Sequence, residues 1–201
     1  MAARVRALGR AEYEPVWRAM QDFTRTRDAG TPDELWFVEH PPVYTLGMRA
    51  DRSHLLAPGT IPVVAIDRGG QVTYHGPGQL VVYVMLDLRR RALTPRKLVQ
   101  ALESAVIETV AAYGVEAAAR RDAPGVYVAG AKLAAVGLRV KRHCSYHGLA
   151  VNVAMDLAPF KGINPCGYEG LEVTQLDSLC GVHDVSRFRA DFEPRLLSKL
   201  A

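Results

Sequence analysis

The chain has 201 residues, 49% of them hydrophobic, with 25 Lys and Arg against 21 Asp and Glu for a formal net charge of +4. This length and apolar content exclude a disordered tail and allow one domain, at most one and a half, with a core of its own. No apolar run approaches the ~18 residues of a membrane span, and Met1 to Arg10 lacks the apolar stretch of a secretory signal, so a cytoplasmic protein is expected.

In chain order, Glu12 to Arg27 carries Val16, Trp17, Met20 and Phe23 at helical spacing and predicts a helix. Leu35 to Glu39 predicts a strand stopped by His40-Pro41-Pro42, and Val43 to Leu46 a second, ended by Gly47. A polar loop with Pro58-Gly59 follows, then strands at 61–66, around 71–75 and at 79–86. Thr94-Pro95 is an N-cap and first-turn pair for a helix with its body from Lys97 to Tyr113, and Gly114 sits where a C-cap glycine belongs. Leu98, Leu102, Ala105, Val106, Thr109 and Val110 give that helix one apolar face. Val126 to Val128, Lys132 to Val140 and Tyr146 to Val153 read as strands. Pro159 to Gly170 is a loop, Thr174 caps a short helix to about Leu179, and Asp184 to Leu200 is a last helix expected to break at Pro194. The fold class is α+β: one domain over 1–201, with a mixed sheet flanked by helices.

The densest chemical signal is Arg68-Gly69-Gly70-Gln71-Val72-Thr73-Tyr74-His75-Gly76-Pro77-Gly78-Gln79, in which five of twelve residues are Gly or Pro. Gly admits unusual backbone angles and close ligand approach, and the intervening side chains converge as hydrogen-bonding groups. The competing reading is a long hairpin with a Gly-Pro-Gly corner. Cys166 lies in a second turn-rich loop, Gly162-Ile163-Asn164-Pro165-Cys166-Gly167. A thiol is a nucleophile only as thiolate, which needs exposure and a nearby positive charge; otherwise it is a small hydrophobe, the reading that suits Cys144 and Cys180. Three sparse cysteines point to reduced thiols, not a disulfide scaffold. Lys132 is the only charge between Asp122 and Arg139, in a strand of small and apolar residues. It either faces water on an edge or is held in a pocket, where desolvation makes it an acid–base group. His143, Cys144, His147, Cys180 and His183 have spacing too loose for zinc, so no metal is expected, and no Walker A or Gly-x-Gly-x-x-Gly motif is present. Arg89-Arg90-Arg91, Arg96-Lys97, Arg120-Arg121 and Arg139 to His143 form basic clusters that suit an acidic protein, a nucleic acid or an ordinary Arg-rich surface.

Five segments in order resemble the lipoyl(octanoyl) transferase family: Glu39 to Gly47, Arg68 to Gln79, Lys132 to Gly137, His147 to Val153 and Gly162 to Gly167. Leu133 and Val136 are apolar departures without consequence. The resemblance implies the catalytic fold of biotin and lipoate protein ligases, over about residues 30–201. It implies transfer of an octanoyl group from octanoyl-acyl carrier protein to a lysine of apo lipoyl domains, those of 2-oxoacid dehydrogenase complexes and the glycine cleavage H protein. Cys166 is then the acyl acceptor and Lys132 the residue that lowers its pKa. Substrate-binding segments map to Arg68, Gly69, Gly70, Gln71, Val72, Thr73, Tyr74 and His75, to Ala135, Val136 and Gly137, and to Gly148, Leu149 and Ala150. No cofactor is implied, since the acyl group comes on the carrier's phosphopantetheine, and neither nucleic acid nor membrane is a partner. An ATP-dependent ligase of the same fold would need an adenylate site and no nucleophilic Cys. A non-catalytic paralogue that only binds carrier domains would lack Lys132 or Cys166.

Overall fold

The computed structural model describes residues 3–201, apart from the side chain of Cys166. Its elements run β1 (Arg4–Arg10), α1 (Tyr13–Thr26), β2 (Glu34–Glu39), β3 (Val43–Leu46), β4 (Val63–Ala65), β5 (Val72–His75), β6 (Gln79–Met85), α2 (Pro95–Ala111), β7 (Ala118–Ala119), β8 (Gly125–Val128), β9 (Ala131–Lys141), β10 (Cys144–Asn152), α3 (Leu176–Cys180) and α4 (Val185–Lys199). Seven strands form the main sheet in the order β1-β2-β6-β10-β9-β8-β7, and β4-β3-β5 form a second, small sheet. Only the β1–β2 pair is parallel in the large sheet, which is therefore mixed.

Strand β6 is buried along its whole length, so both faces of the sheet centre are covered. Side-chain alternation divides it. Leu80, Val82 and Val84, with Leu35 and Phe37 of β2, pack under α2 and α4 against Leu98, Leu102, Phe188 and Phe192. Val81, Tyr83 and Met85, with Trp36 and Val38, pack under α1 against Val16 and Met20. Each such fully buried side chain contributes about 1.5–3 kcal/mol relative to exposure. Helix α1 covers only part of its face. The Arg68–Gly70 loop, which precedes β5 of the small sheet, lies on β9, where the Gly69 amide donates to the Leu138 carbonyl.

Four sequence expectations need correction. The Arg68–Gln79 stretch is not a hairpin, because β5 pairs with β3 while β6 pairs with β2 and β10. Strand β1 carries no period-two signal, because its two half-buried residues, Val5 and Leu8, are three apart and the register shifts between Ala7 and Gly9. Gln175, not Thr174, is the N-cap of α3: the Gln175 carbonyl accepts from the Leu179 amide, whereas the Thr174 carbonyl is taken by the Asn152 side chain. Helix α4 runs through Pro194: burial of Phe188, Phe192 and Leu196 on both sides of it outweighs the lost hydrogen bond. Thr94 caps α2 as expected, its hydroxyl accepting from the Lys97 amide. Among the described residues, no helix is long and apolar enough to cross a membrane.

Candidate active site

The three segments singled out in the sequence meet on one surface. In the β9–β10 ladder, Gly148 lies opposite Gly137, Leu149 opposite Val136 and Ala150 opposite Ala135. The Arg68–Gly70 loop lies across them, with the Gly69 amide donating to the Leu138 carbonyl at 3.0 Å. A Cβ on Gly137 would stand 3.1 Å from Arg68 Cδ, and one on Gly148 only 1.9 Å from the Val82 carbonyl oxygen. Glycine is therefore required for the loop to close on the sheet and for β10 to close on β6. Together they line a cavity of about 1280 Å³. Tyr74 is the exception: it turns away into the small core, edge-on to Phe160. Arg68 is buried and holds the loop, donating to Thr45 Oγ1 at 2.9 Å and to the Thr45 carbonyl at 2.8 Å.

His75 and His147 line the cavity, and behind them lies a network that adds His40 and the Asp67 carboxylate. Asp67 accepts hydrogen bonds from Trp17 at 2.8 Å, Gln21 at 3.2 Å, His147 at 3.0 Å and Tyr146. Burial works against its ionisation, but these donors prevail and hold its carboxyl well below the usual carboxylate range. His147 adopts a left-handed backbone (φ 60°) within β10, a strained conformation that turns its imidazole to Asp67. Burial lowers the His147 pKa more than Asp67 raises it. Burial also pushes His40 down to about 4 and His75 down to about 3. Each has a fixed tautomer: His40 Nδ1 donates to the Ala11 carbonyl and its Nε2 accepts from Tyr83, while His75 Nδ1 donates to Gln79 Oε1 at 2.7 Å.

From His75 the network leaves the cavity. Gln79 donates to Asn152 Oδ1 at 2.9 Å, and Asn152 donates to the Thr174 carbonyl at 3.0 Å. The Thr174 amide donates to the Lys132 carbonyl at 3.0 Å, and the Lys132 amide donates to the Glu172 carbonyl at 2.8 Å. The backbone of Lys132 thus clamps the outgoing end of the loop that bears Cys166. At the incoming end, the Asn164 amide donates to the His54 carbonyl at 2.9 Å, and the Gly162 carbonyl accepts from Leu56 and Ala57. The chain forms a single 3₁₀ turn over Pro165–Gly167; the side chain of Cys166 lies outside the described residues.

Lys132 is 4% exposed, so it is held inside and does not face water. Its Nζ lies 3.5 Å from the Pro124 carbonyl and 5.1 Å from the Tyr127 ring centroid. Glu103 of α2 stands beside it. The Glu103 carboxylate accepts from the Gly125 amide at 2.8 Å. Burial raises its pKa against that hydrogen bond and the Lys132 charge. Cys144 is buried in β10, and burial pushes its thiol up; Cys180 ends α3 and donates to the Leu176 carbonyl. Among the described residues no cluster of His, Cys, Asp and Glu has the arrangement of a metal site.

Sequence reading missed Tyr13, His40, Asp67, Tyr83, Glu103 and Asn152. Tyr13 and Glu103 sit in helices, Tyr83 and Asn152 in strands, and His40 and Asp67 in connecting segments, and only their convergence marks them. The Arg89–Arg91 cluster proves structural in part: Arg90 and Arg91, with Arg27, surround Asp33 at 2.6–2.7 Å, and Asp33 is 3% exposed. Arg139, Lys141 and Arg142 lie at the end of β9 and its turn, where Arg142 and His143 both have positive φ.

The model of the lipoyl protein ligase A/B catalytic domain family matches residues 12–201. An octanoyltransferase of Methylococcus capsulatus is 63% identical over 179 residues, 89% of this chain and 86% of its own length. One of Laribacter hongkongensis is 55% identical over 98% of this chain and 95% of its own. Among solved structures, lipoate-protein ligase A bound with ATP superposes with a TM-score of 0.82 at 14% identity, covering 100% of this chain and 86% of that one. A biotin protein ligase from Aquifex aeolicus in complex with biotin and ATP gives 0.61 at 13% identity, over 98% and 70%. These two likenesses concern the fold, which is the α+β fold expected from the sequence.

Proposed function

The chain belongs to the lipoyl protein ligase A/B catalytic domain family and is an acyltransferase that moves an octanoyl group in the lipoylation of lipoyl-domain proteins; we propose that it does so through an acyl-enzyme on Cys166, assisted by Lys132. The observation that carries this reading is the clamp in which the amide and carbonyl of Lys132 bind residues 172 and 174 of the Cys166 loop. It anchors the loop end, six residues beyond Cys166, to the strand that bears Lys132. The donor is octanoyl-acyl carrier protein. The acceptors are the lipoyl domains of 2-oxoacid dehydrogenase complexes and the glycine cleavage H protein. The setting is the cytoplasm, where thiols stay reduced.

The chemistry balances without a cofactor. The Lys132 ammonium favours the Cys166 thiolate, as a neighbouring positive charge does. The thiolate attacks the thioester carbonyl. The bond to the carrier's sulfur breaks, and that sulfur takes the Lys132 proton. The result is a second thioester of nearly equal energy, so no ATP is required. Lys132, now neutral, takes a proton from the incoming lysine ammonium, and the freed amine attacks the acyl carbonyl. Cys166 leaves as the amide forms. The amine's second proton passes to the departing sulfur and then to solvent, which restores the thiolate–ammonium pair. The amide's greater stability drives this step.

Intact-protein mass spectrometry after incubation with octanoyl-acyl carrier protein tests the reading. One hydroxylamine-labile octanoyl group is expected on the native chain and none on Cys166→Ala. An unchanged adduct on Cys166→Ala would move the nucleophile elsewhere. ATP-dependent pyrophosphate exchange with free octanoate would favour a ligase.

A further inference from the structure

Helix α2 presents two faces. One is the core face of Leu98, Leu102, Ala105, Val106, Thr109 and Val110. The other is a stripe of Arg96, Val99, Gln100, Glu103, Ser104 and Ile107, spaced by three and four residues, which lines the cavity. The opposite wall is the segment 119–124, leading from β7 towards β8. This makes a second lobe, distinct from the one formed by Arg68–His75 and the β9–β10 glycines. The lobes join at a defined place. Gly125, whose amide binds Glu103, is the ladder partner of Ala135, and Lys132 lies against Pro124. At about 1280 Å³ the whole cavity exceeds the ~300–1,000 Å³ usual for one small ligand, so an eight-carbon chain leaves much of it unfilled.

The charges of the second lobe select its occupant. Arg120 is matched by Asp122 at 2.6 Å and lies over the rings of Tyr127 and Tyr168. Glu103 is engaged by the Gly125 amide and faces the Lys132 charge. Arg96 and Arg121, both exposed, join no ion pair among the described residues, so the mouth is cationic. A cationic mouth disfavours an incoming lysine and suits a phosphate. From Glu103 back to Arg96 is seven residues of helix, about 10.5 Å of rise, before the Arg side chain extends further. The phosphopantetheine arm, with two amides and a branched apolar unit between sulfur and phosphate, is roughly as long as four extended peptide units, about 14 Å. Gln100 and Ser104 offer donors and acceptors for its amides, and Val99 offers apolar contact.

We propose that the lobe between α2 and residues 119–124 is the slot for the phosphopantetheine arm of the acyl donor, with Arg96 and Arg121 on its phosphate and Gln100 and Ser104 on its amides. This rests on the thioester-donor reading above. The acyl chain then occupies the glycine-lined lobe, and the thioester sits at the junction beside Lys132.

The test compares octanoyl-phosphopantetheine with octanoyl-pantetheine, which lacks the phosphate, by the rate of acyl-enzyme formation. The native enzyme should favour the phosphorylated donor about tenfold in kcat/KM, and Arg96→Glu with Arg121→Glu should bring the ratio towards one. Both positions are exposed, and thermal melts check that the fold is kept. Gln100→Ala should raise KM severalfold for both donors. Octanoyl-CoA and octanoyl-acyl carrier protein share the arm and should both lose rate in the charge-reversed variant; their relative efficiencies in the native enzyme identify the source. A native ratio of one overturns the slot. So does a variant that slows only transfer from preformed octanoyl-enzyme to a lipoyl domain, which would give the lobe to the acceptor lysine. Absence of acyl-enzyme from every thioester would refute the donor reading itself, and the slot with it.

Discussion

Acidification should unfold this protein through its histidines before its carboxylates. His40 and His75 are buried and neutral, with pKa values lowered from 6.5 to about 4 and about 3. In the unfolded chain both protonate near 6.5. Below that pH the unfolded state binds more protons, so stability falls as pH falls; the contribution is fully present above 6.5 and is lost down to the folded values. At pH 4.5, about two units below the unfolded pKa, each histidine costs about 2.5 kcal/mol, or about 5 kcal/mol together. That is comparable to the whole stability of an ordinary domain, about 5–15 kcal/mol. Buried His147, whose pKa is also lowered, adds to the effect. Urea melts followed by circular dichroism at pH 7.5, 5.5 and 4.5 measure it. Between pH 5.5 and 4.5 the slope should approach about 2.7 kcal/mol per pH unit from the two histidines. A His40→Gln, His75→Gln double variant should lose most of that slope, whatever its absolute stability. A flat profile from pH 6.5 to 4.5, or an unchanged slope in the double variant, would refute the account.

Lys132→Met should move iodoacetamide alkylation of Cys166 to higher pH by about 1–3 units, and Lys132→Arg should acylate yet fail to pass the group to a lipoyl domain, since guanidinium does not deprotonate; wild-type transfer by Lys132→Arg would remove the base from the mechanism. Glu103→Gln keeps an acceptor for the Gly125 amide and removes the charge beside Lys132, so the alkylation profile should shift to lower pH, and coincident profiles would make Glu103 purely structural. Gly148→Ala places a Cβ 1.9 Å from the Val82 carbonyl oxygen and should destabilise by about 3 kcal/mol or prevent folding; a melt within 1 °C of the native protein would contradict the register. Transfer from acyl carrier protein should lose kcat/KM as salt rises, because attraction to Lys141 and Arg142 is screened beyond about 8–10 Å, whereas octanoyl-pantetheine should respond weakly; parallel salt slopes would exclude these residues from docking.

Local rules made most of the elements legible. Alternating and helical spacing located α1, α2, strands β2 to β6 and strands β8 to β10, because these periods record which side chains must leave water; the two-residue β7 is too short to show one. Glycine and proline located the two loops of the site, because only those residues tolerate the backbone that close approach demands. Pairing was not local. That β5 joins β3 while β6 joins β2 and β10, or that Gly148 faces Gly137, depends on which distant strand meets each edge. The buried state of Lys132 likewise needed α2 and Pro124 to close over it. His40, Asp67 and Glu103 carry no signature in their own segments. A titratable side chain acquires its chemistry from burial and from neighbours brought in from far along the chain, and those exist only once the chain has folded.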